Sequence, residues 1–324
     1  MEVKVSIIVP VYNGEKYLIN CLSFLVNQTL QDIQIIIIDD ASTDGSRYII
    51  EECSRQYPDK VISIFLDRNR GAGGARNIGL QRATGKYIGF VDCDDYVNVN
   101  MYEELFVAAI KENYDIVDSF LYHEKERNIV ITTPTDVEGI LDENKKKVLL
   151  MNTGYIVTKI FKASLLQEKE IKFRENVRYE DPDFLCRVYL EAKSIICIKK
   201  VFYFYRYNEN STTKAIDIKQ YIFQEVQYME SLYKVFQMAD KEAKYREELD
   251  YKLIYLYGKI MEGYIINDYN LEINELEMLR QAALSYIRNM DNQAVKGILD
   301  KNIYKLLFIN NENPFKVKGI RDQL

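Results

Sequence analysis

Three carboxylates fall within four residues at Asp92-Cys93-Asp94-Asp95, directly after the apolar run Tyr87-Ile88-Gly89-Phe90-Val91. Like charges this close repel, and none is buried cheaply unless paired or bound to a cation. A hard divalent cation offsets the repulsion best. Such ions often take only one or two protein carboxylates and complete their shell with substrate phosphate oxygens. The stretch therefore points to a metal–phosphate site at the end of a strand. The plainer reading is a solvated loop whose acids cap the next helix, since charges flanking a strand are common.

The elements around it decide between these readings. Val3 to Val9 is an apolar run closed by Pro10, Ile33 to Ile38 is closed by Asp39-Asp40, and Val61 to Leu66 is closed by Asp67. Runs rich in Ile and Val that do not alternate read as strands covered on both faces. Helical spacing appears between them: from about Glu15 to Asn27, from about Asp44 to Gln56 with Ser42, Thr43 and Asp44 as cap residues, and from about Gly74 to Ala83. Alternating strand and helix predicts a mostly parallel α/β sheet flanked by helices. Ligands bind such sheets beyond the carboxyl ends of the strands. Tyr12-Asn13, Asp39-Asp40, Arg68 to Arg76 and Asp92 to Asp94 all fall at those ends. Four polar clusters arriving at one edge are hard to explain as independent caps.

Composition sets the bounds. At 324 residues the chain has room for two domains, and 28% charged with 48% hydrophobic residues is ordinary for a globular protein. A net charge of −6 argues against a nucleic-acid binder. The first apolar run is short and lacks a cationic lead-in, so no secretory leader is expected, and no run has the length of a membrane-spanning helix. The five cysteines (Cys21, Cys53, Cys93, Cys186, Cys197) form no C-x-x-C pair and read as reduced thiols. A cytoplasmic protein is expected.

The segments Ser6-Ile7-Ile8-Val9-Pro10-Val11-Tyr12-Asn13, Ile38-Asp39-Asp40-Ala41-Ser42-Thr43-Asp44-Gly45-Ser46, Gly73-Gly74-Ala75-Arg76-Asn77 and Phe90-Val91-Asp92-Cys93-Asp94-Asp95 occur in this order. Together they resemble family-2 glycosyltransferases, inverting enzymes with the nucleotide-sugar-binding type-A fold. The resemblance covers roughly residues 3 to 215. It implies a nucleotide-sugar domain at 1–215, with a helical subdomain at 216–324. It also implies roles. Pro10, Val11 and Tyr12 would hold uracil, Asp40 would accept from the uracil ring N–H, and Glu15 would contact ribose. Arg76 would lie beside the diphosphate, where a guanidinium makes charge-assisted bonds. Asp92 and Asp94 form the D-x-D element. The first would touch ribose, the second would bind Mn2+ or Mg2+ at the diphosphate, and the Cys93 backbone would face the nucleotide. Asp95 and Asp39 are expected to be structural.

Inverting transfer needs one carboxylate to take the acceptor hydroxyl's proton. Phe173-Arg174-Glu175-Asn176-Val177-Arg178-Tyr179-Glu180-Asp181-Pro182-Asp183-Phe184 resembles the family's Glu-Asp block at a helix start, and Pro182 suits a first helical turn. Asp181 is assigned as base, Glu180 as its neighbour on the acceptor side, and Asp183 as second choice. Acids there also simply favour a helix N-terminus. The block from Tyr205 to Thr213 resembles a loop closing over the diphosphate, with Arg206 and Ser211 donating to phosphate. His123, the only histidine, has no ligand spacing around it and is expected at a strand end or surface. Lys159 lines the acceptor pocket or caps a sheet edge.

Helical spacing recurs from about Asp217 onward: at Ile222, Val226, Met229, Tyr233 and Phe236, at Leu253 to Tyr264, and at Leu276 to Ile287. This third could pack on the first domain or on a second copy of the chain. Lys301, Lys305, Lys316, Lys318 and Arg321 among Ile303, Leu306, Leu307, Phe308 and Phe315 form a modest basic-amphipathic cluster, which suggests peripheral contact with the inner face of the plasma membrane. The expected activity is metal-dependent transfer from a UDP-sugar to a saccharide or lipid-linked saccharide in capsule, O-antigen or similar glycan synthesis. Two alternatives stand beside it. One is an inactive sugar-nucleotide-binding scaffold, against which Asp94 and Asp181 speak. The other is a nucleotidyltransferase, whose lysine-bearing glycine loop is missing at Val9 to Gly14. Gly71-Ala72-Gly73-Gly74 superficially resembles a dinucleotide-binding turn, but it follows the third strand and position 76 is Arg, so G-x-G-x-x-G is not matched.

Overall fold

The computed structural model describes residues 2–177, 180–208, 218–238, 244–250, 252, 253, 255 and 256. The chain forms two compact units, 1–209 and 210–324. The first runs β1 (Val5–Val11), α1 (Glu15–Val26), β2 (Ile33–Asp39), α2 (Ser46–Gln56), β3 (Val61–Phe65), α3 (Gly71–Arg82), β4 (Tyr87–Phe90), β5 (Tyr96–Val97) and α4 (Met101–Lys111). It continues through β6 (Ile116–His123), β7 (Asn128–Val130), β8 (Gly139–Ile140), α5 (Glu143–Met151), β9 (Ile160–Lys162), α6 (Ala163–Glu168), α7 (Glu180–Glu191) and β10 (Ser194–Tyr205). A 3-10 turn at Ile156–Thr158 leads into β9.

The strands build one sheet in the order β3-β2-β1-β4-β9-β6-β10-β5, with β7 on β6 and β8 on β10. β3, β2, β1 and β4 are parallel. β9 runs against both β4 and β6, so those two point the same way, and β10 is parallel to β6. The sheet is thus mixed: the parallel half matches the four expected strands, and β9 is the reversed strand that joins it to β6 and β10. The carboxyl ends of β1, β2, β4, β6 and β10 share one edge, and β9 begins there. Ile35 to Ile38 are fully buried, as a strand covered on both faces requires.

β1 does not stop at Pro10. The Val91 N–H donates to the Ile8 carbonyl, so even-numbered groups of β1 face β4, and pairing with β4 ends at Ile8 opposite Phe90. Pro10 lies past that point, so its missing N–H costs no ladder bond and the strand runs on to Val11. α3 starts at Gly71, three residues earlier than its spacing suggested. It lies directly on the sheet: a Cβ at Gly79 would meet Ile8 Cγ2 at 2.5 Å and Ile38 Cδ1 at 3.1 Å.

Behind the edge, Phe90 of β4, Phe161 of β9, Phe184 of α7 and Phe173 of the segment before α7 form an aromatic cluster. Phe173 stacks on Phe184 at 4.0 Å, and Phe90 meets both edge-on at 5.3 and 5.8 Å. Such pairs add to the burial of large apolar area. The cluster fastens the start of α7 to the end of β4.

The second unit contains α8 (Ile218–Met238), in which Tyr228, Met229, Leu232, Val235 and Phe236 are buried. Leu276 to Ile287 and the basic cluster at 301–321 lie outside the described residues. No described helix is long and apolar enough to cross a membrane. The five cysteines form no disulfide.

Candidate active site

The ends of β1 and β2 are tied to each other. Beyond β1, Tyr12 is 45% exposed. Asn13 adopts a left-handed conformation (φ 51°), its N–H donates to Ser42 Oγ at 3.0 Å, and its Oδ1 accepts from the Thr43 N–H at 2.8 Å. Asp39 Oδ1 accepts from the Ser42 N–H, orienting the turn after β2. The Asp40 N–H donates to the Val11 carbonyl, which closes β1 against β2. Asp40 is buried, and its Oδ1 accepts from the Arg70 N–H at 2.7 Å. Burial raises its pKa even against the backbone donors of Arg70 and Gly71.

Glu15, expected at the ribose, is engaged by the start of α2. Its Oε2 accepts from the Gly45 N–H at 2.9 Å, while its own N–H donates to Asp44 Oδ2 at 3.0 Å. The two residues tie the N-termini of α1 and α2 together, satisfying amides that a helix start leaves free.

Arg76 sits at the centre. It rises from α3 with its side chain 3% exposed and meets three acids: Nη2 donates to Asp92 Oδ1 at 2.7 Å, and Nη1 to Glu180 Oε1 at 2.8 Å and Asp181 Oδ1 at 2.9 Å. Its Nε has no hydrogen-bond partner among the described residues, and the guanidinium lies over the Phe173 ring at 5.4 Å. Burial opposes the charge, but Asp181, Asp92 and Glu180 outweigh it and hold Arg76 firmly protonated. Arg76, expected beside the diphosphate, has both Nη atoms engaged by carboxylates. Neighbouring Asn77 locks the approach to α7, accepting from the Phe173 N–H at 2.9 Å and donating to the Phe173 carbonyl at 2.9 Å. α3 fits against this segment only because position 73 is glycine: a Cβ there would collide with the Arg174 carbonyl.

Asp181 keeps a third of its side chain exposed. Burial of the carboxyl, with Glu180 and Asp92 adding to it against Arg76, pushes its pKa up to about 8. That value suits a proton acceptor working near neutrality. Asp183 does not: it is fully buried, with Arg187 Nε at 2.8 Å and Arg174 Nε at 3.7 Å. It is an internal ion-pair partner and not a second base.

The Asp92–Asp95 turn is held from below by Tyr203 of β10. The Tyr203 hydroxyl accepts from the Asp92 N–H at 3.2 Å and donates to Asp95 Oδ2 at 2.6 Å. Asp95 also accepts from the Arg206 N–H at 2.8 Å, so it is a structural acid. Tyr203 carried no signal in the sequence, because its contact with Asp95 spans 108 residues. Cys93 points back into the protein, since a Cβ at Gly14 would meet its Sγ at 2.9 Å. Burial first, then Asp94 and Asp92, push its thiol far up and keep it inert. Asp94 accepts from Asn208 Nδ2 at 3.1 Å and pairs with no cation among the described residues. Burial and then the charge of Asp92 raise its pKa.

The residues fit a divalent cation in one specific way. No three His, Cys, Asp or Glu side chains form a complete cage among the described residues. Asp94, desolvated beside another carboxylate, could supply the one or two hard oxygens that magnesium takes when phosphate oxygens complete the shell.

Arg206 of the segment after β10 is engaged within the protein. Its guanidinium lies between the rings of Tyr17 (5.2 Å) and Tyr96 (5.1 Å) and donates to Asn20 Oδ1. Ser211 lies outside the described residues. His123 ends β6, stacks on Tyr205 at 5.0 Å, and its Nδ1 accepts from the Glu126 N–H. Lys159 is fully buried and pairs with equally buried Asp118 at 3.1 Å.

Comparison with known proteins agrees with this architecture. The family model described as "Glycosyl transferase family 2" matches residues 6–166. The chain is 33% identical over 222 residues to the uncharacterized glycosyltransferase EpsJ of Bacillus subtilis, covering 65% of this chain and 63% of that one. It is 31% identical over 228 residues to glycosyltransferase GlyG of Streptococcus pneumoniae, covering 66% and 74%. It is 33% identical over 209 residues to the poly(ribitol-phosphate) beta-glucosyltransferase of Bacillus spizizenii, covering 62% of this chain but 32% of that longer one. The crystal structure of S. aureus TarS 1-349 in complex with UDP-GlcNAc superposes with a TM-score of 0.72 at 22% identity, covering 94% of this chain and 86% of that chain. That likeness shows the type-A fold. The chain belongs to glycosyltransferase family 2.

Proposed function

We propose that this protein is a metal-dependent, inverting glycosyltransferase that moves a sugar from a UDP-sugar to a hydroxyl of a cell-envelope saccharide. One observation carries the reading: a single buried guanidinium, that of Arg76, joins the D-x-D acid Asp92 to the Glu180-Asp181 pair. Two motifs about ninety residues apart thus meet at one guanidinium, which supports a site shared by donor and acceptor. The TarS complex with UDP-GlcNAc and the poly(ribitol-phosphate) glucosyltransferase support a nucleotide donor and an envelope-type acceptor.

In this reading Tyr12 stacks on the base and Asp40 offers an acceptor to its ring N–H. Asp92 and Asp94 lie toward ribose and diphosphate. Asp94, with Asp92 beside it, would hold Mn2+ or Mg2+, and such an ion would supply charge neutralisation for the departing diphosphate. Asp181 takes the proton of the acceptor hydroxyl. That oxygen bonds to the anomeric carbon as the bond to the diphosphate oxygen breaks, and the nucleoside diphosphate leaves. Arg76 holds Asp181 and Asp92 in fixed relation, so base and donor share one reference point. Glu180 occupies the second position on Nη1 and limits how far Asp181 can turn. In this assignment the protein works in the cytoplasm, where the nucleotide donor is found.

The test is incubation with UDP-, GDP-, CDP- and dTDP-sugars, with and without manganese, measuring free nucleotide. Metal-dependent release from one donor, lost in Asp94→Ala, supports the assignment. Absence of both release and UDP binding removes it.

A further inference from the structure

The Lys159–Asp118 pair has no part in the chemistry above. Both side chains are fully buried, and the pair lies at 3.1 Å. Asp118 also accepts from the hydroxyls of Thr132, Thr133 and Thr158 and from the Ser119 N–H. Burying an ion pair seldom adds stability over an apolar core, and its best attested use is to fix geometry. The geometry fixed here is that of the segment before β9. Lys159 Nζ donates to the Tyr155 carbonyl at 2.8 Å, and Thr158 Oγ1, which donates to Asp118, lies 3.1 Å from the same oxygen. Two residues earlier, the Tyr189 hydroxyl of α7 donates to the Thr153 carbonyl at 2.7 Å. Between them Gly154 turns the chain at φ +68°, where a Cβ would press on Thr132 and on Lys159 Nζ.

All this machinery leaves one side chain outside: Tyr155 is 37% exposed. Its place is set by the strand register. Gly89 of β4 pairs with Ile160 of β9, and β9 is antiparallel. Moving from Gly89 up to Asp92 therefore corresponds to moving from Ile160 back to Val157, and the 3-10 turn packs against β4, β6 and β10. Tyr155 thus flanks the D-x-D turn on the side away from Tyr12 and Asp40. Tyr205, the last residue of β10, is at the same edge and stacks on His123. The 3-10 turn that follows Tyr155 packs against β10, and β10 ends in Tyr205 opposite His123, so the two phenols lie at the same edge as the acids.

We propose that Tyr155 and Tyr205 form a platform for the acceptor sugar, with Lys159–Asp118 as the buried device that fixes Tyr155. An aromatic ring offers an apolar face to the C–H face of a pyranose, and its hydroxyl offers a hydrogen bond to the sugar's rim. The inference rests on the glycosyltransferase reading, since it takes the sheet edge beyond Asp92 to be the acceptor side.

Saturation-transfer NMR with methyl β-D-glucopyranoside and methyl β-N-acetylglucosaminide, recorded with and without UDP, tests it. Wild-type protein should transfer saturation to the ring C–H protons. Tyr155→Ala should lower the signal about fivefold or more, the scale of one lost aromatic contact. Tyr155→Phe should keep most of it, and UDP affinity and the unfolding midpoint should stay unchanged in both. No signal from wild-type protein, or an undiminished one in Tyr155→Ala, overturns the platform. Absence of UDP binding by wild-type protein is a separate outcome: it removes the donor assignment, while a Tyr155-dependent sugar signal would still uphold the platform.

Discussion

Arg76 Nη1 lies 2.9 Å from Asp181 Oδ1, although 105 residues separate them in the chain. The same guanidinium holds Asp92 at 2.7 Å. An arginine can do this because its planar fork presents several donors at fixed angles, whereas a lysine is a single point charge. Arg76→Lys should therefore keep the fold and lose most transfer. Arg76→Met should leave three carboxylates facing each other, with a stability loss on the scale of about 3–5 kcal/mol for a buried pair broken from one side. Urea unfolding of the two variants checks this. Equal stability of Arg76→Met and wild type would mean the clamp is not formed in solution.

Asp181→Asn keeps size and position and removes the proposed proton acceptor. Transfer should fall by about 10²–10⁴, the usual contribution of a general base. UDP binding should persist within a factor of about three, because the nucleotide's expected partners lie on β1, β2 and β4 and the substitution removes only a group acting on the acceptor. Near-full transfer by this variant would rule Asp181 out as base.

The raised pKa of Asp181 has a sign that can be checked in two ways. The base acts only when ionised, so kcat/KM in the metal-limited regime should climb as pH rises through about 8. Stability should move the other way. The folded carboxyl binds a proton more tightly than the unfolded one, so this group's contribution is full below the ordinary carboxylate range and is lost as pH rises toward about 8. Unfolding midpoints across that window should fall for wild type and fall less for Asp181→Asn.

In the proposed mechanism Asp94 offers the hard oxygen that a cation at the diphosphate requires. Chelation with EDTA should stop transfer, and manganese should restore it. Calorimetry of UDP binding should show a manganese-dependent gain in wild-type protein that Asp94→Ala loses. A gain of the same size in the variant would place the ion elsewhere.

Lys159→Met leaves Asp118 charged and enclosed. Thermal and urea unfolding should show a loss on the scale of about 3–5 kcal/mol, far more than a surface lysine would cost. A near-neutral effect would mean that the Thr132, Thr133 and Thr158 hydroxyls alone satisfy the carboxylate.

Local chemistry made much of this protein readable. Ile35 to Ile38 had to be a buried strand because nothing else accommodates four isoleucines in a row. Asp92-Cys93-Asp94-Asp95 pointed to a strand end because three acids this close are not buried together cheaply. The order of the four motifs placed them on one sheet edge, and that was enough to name the family. What the chain could not reveal was which charges spend themselves on one another. Arg76 and Arg206 look alike as basic residues, yet one is consumed by three acids and the other by Tyr17, Tyr96 and Asn20. Asp181 and Asp183 stand two apart in the same helix start. They differ only because the helix turns one toward the site and the other onto Arg174 and Arg187. Glu15, Tyr203 and Lys159 likewise acquire their roles from partners 30, 108 and 41 positions away. Sequence determined the elements and their edge because burial and repulsion act residue by residue. The tertiary structure decided the pairings, because a hydrogen bond depends on a distance of about 3 Å that no spacing along the chain encodes.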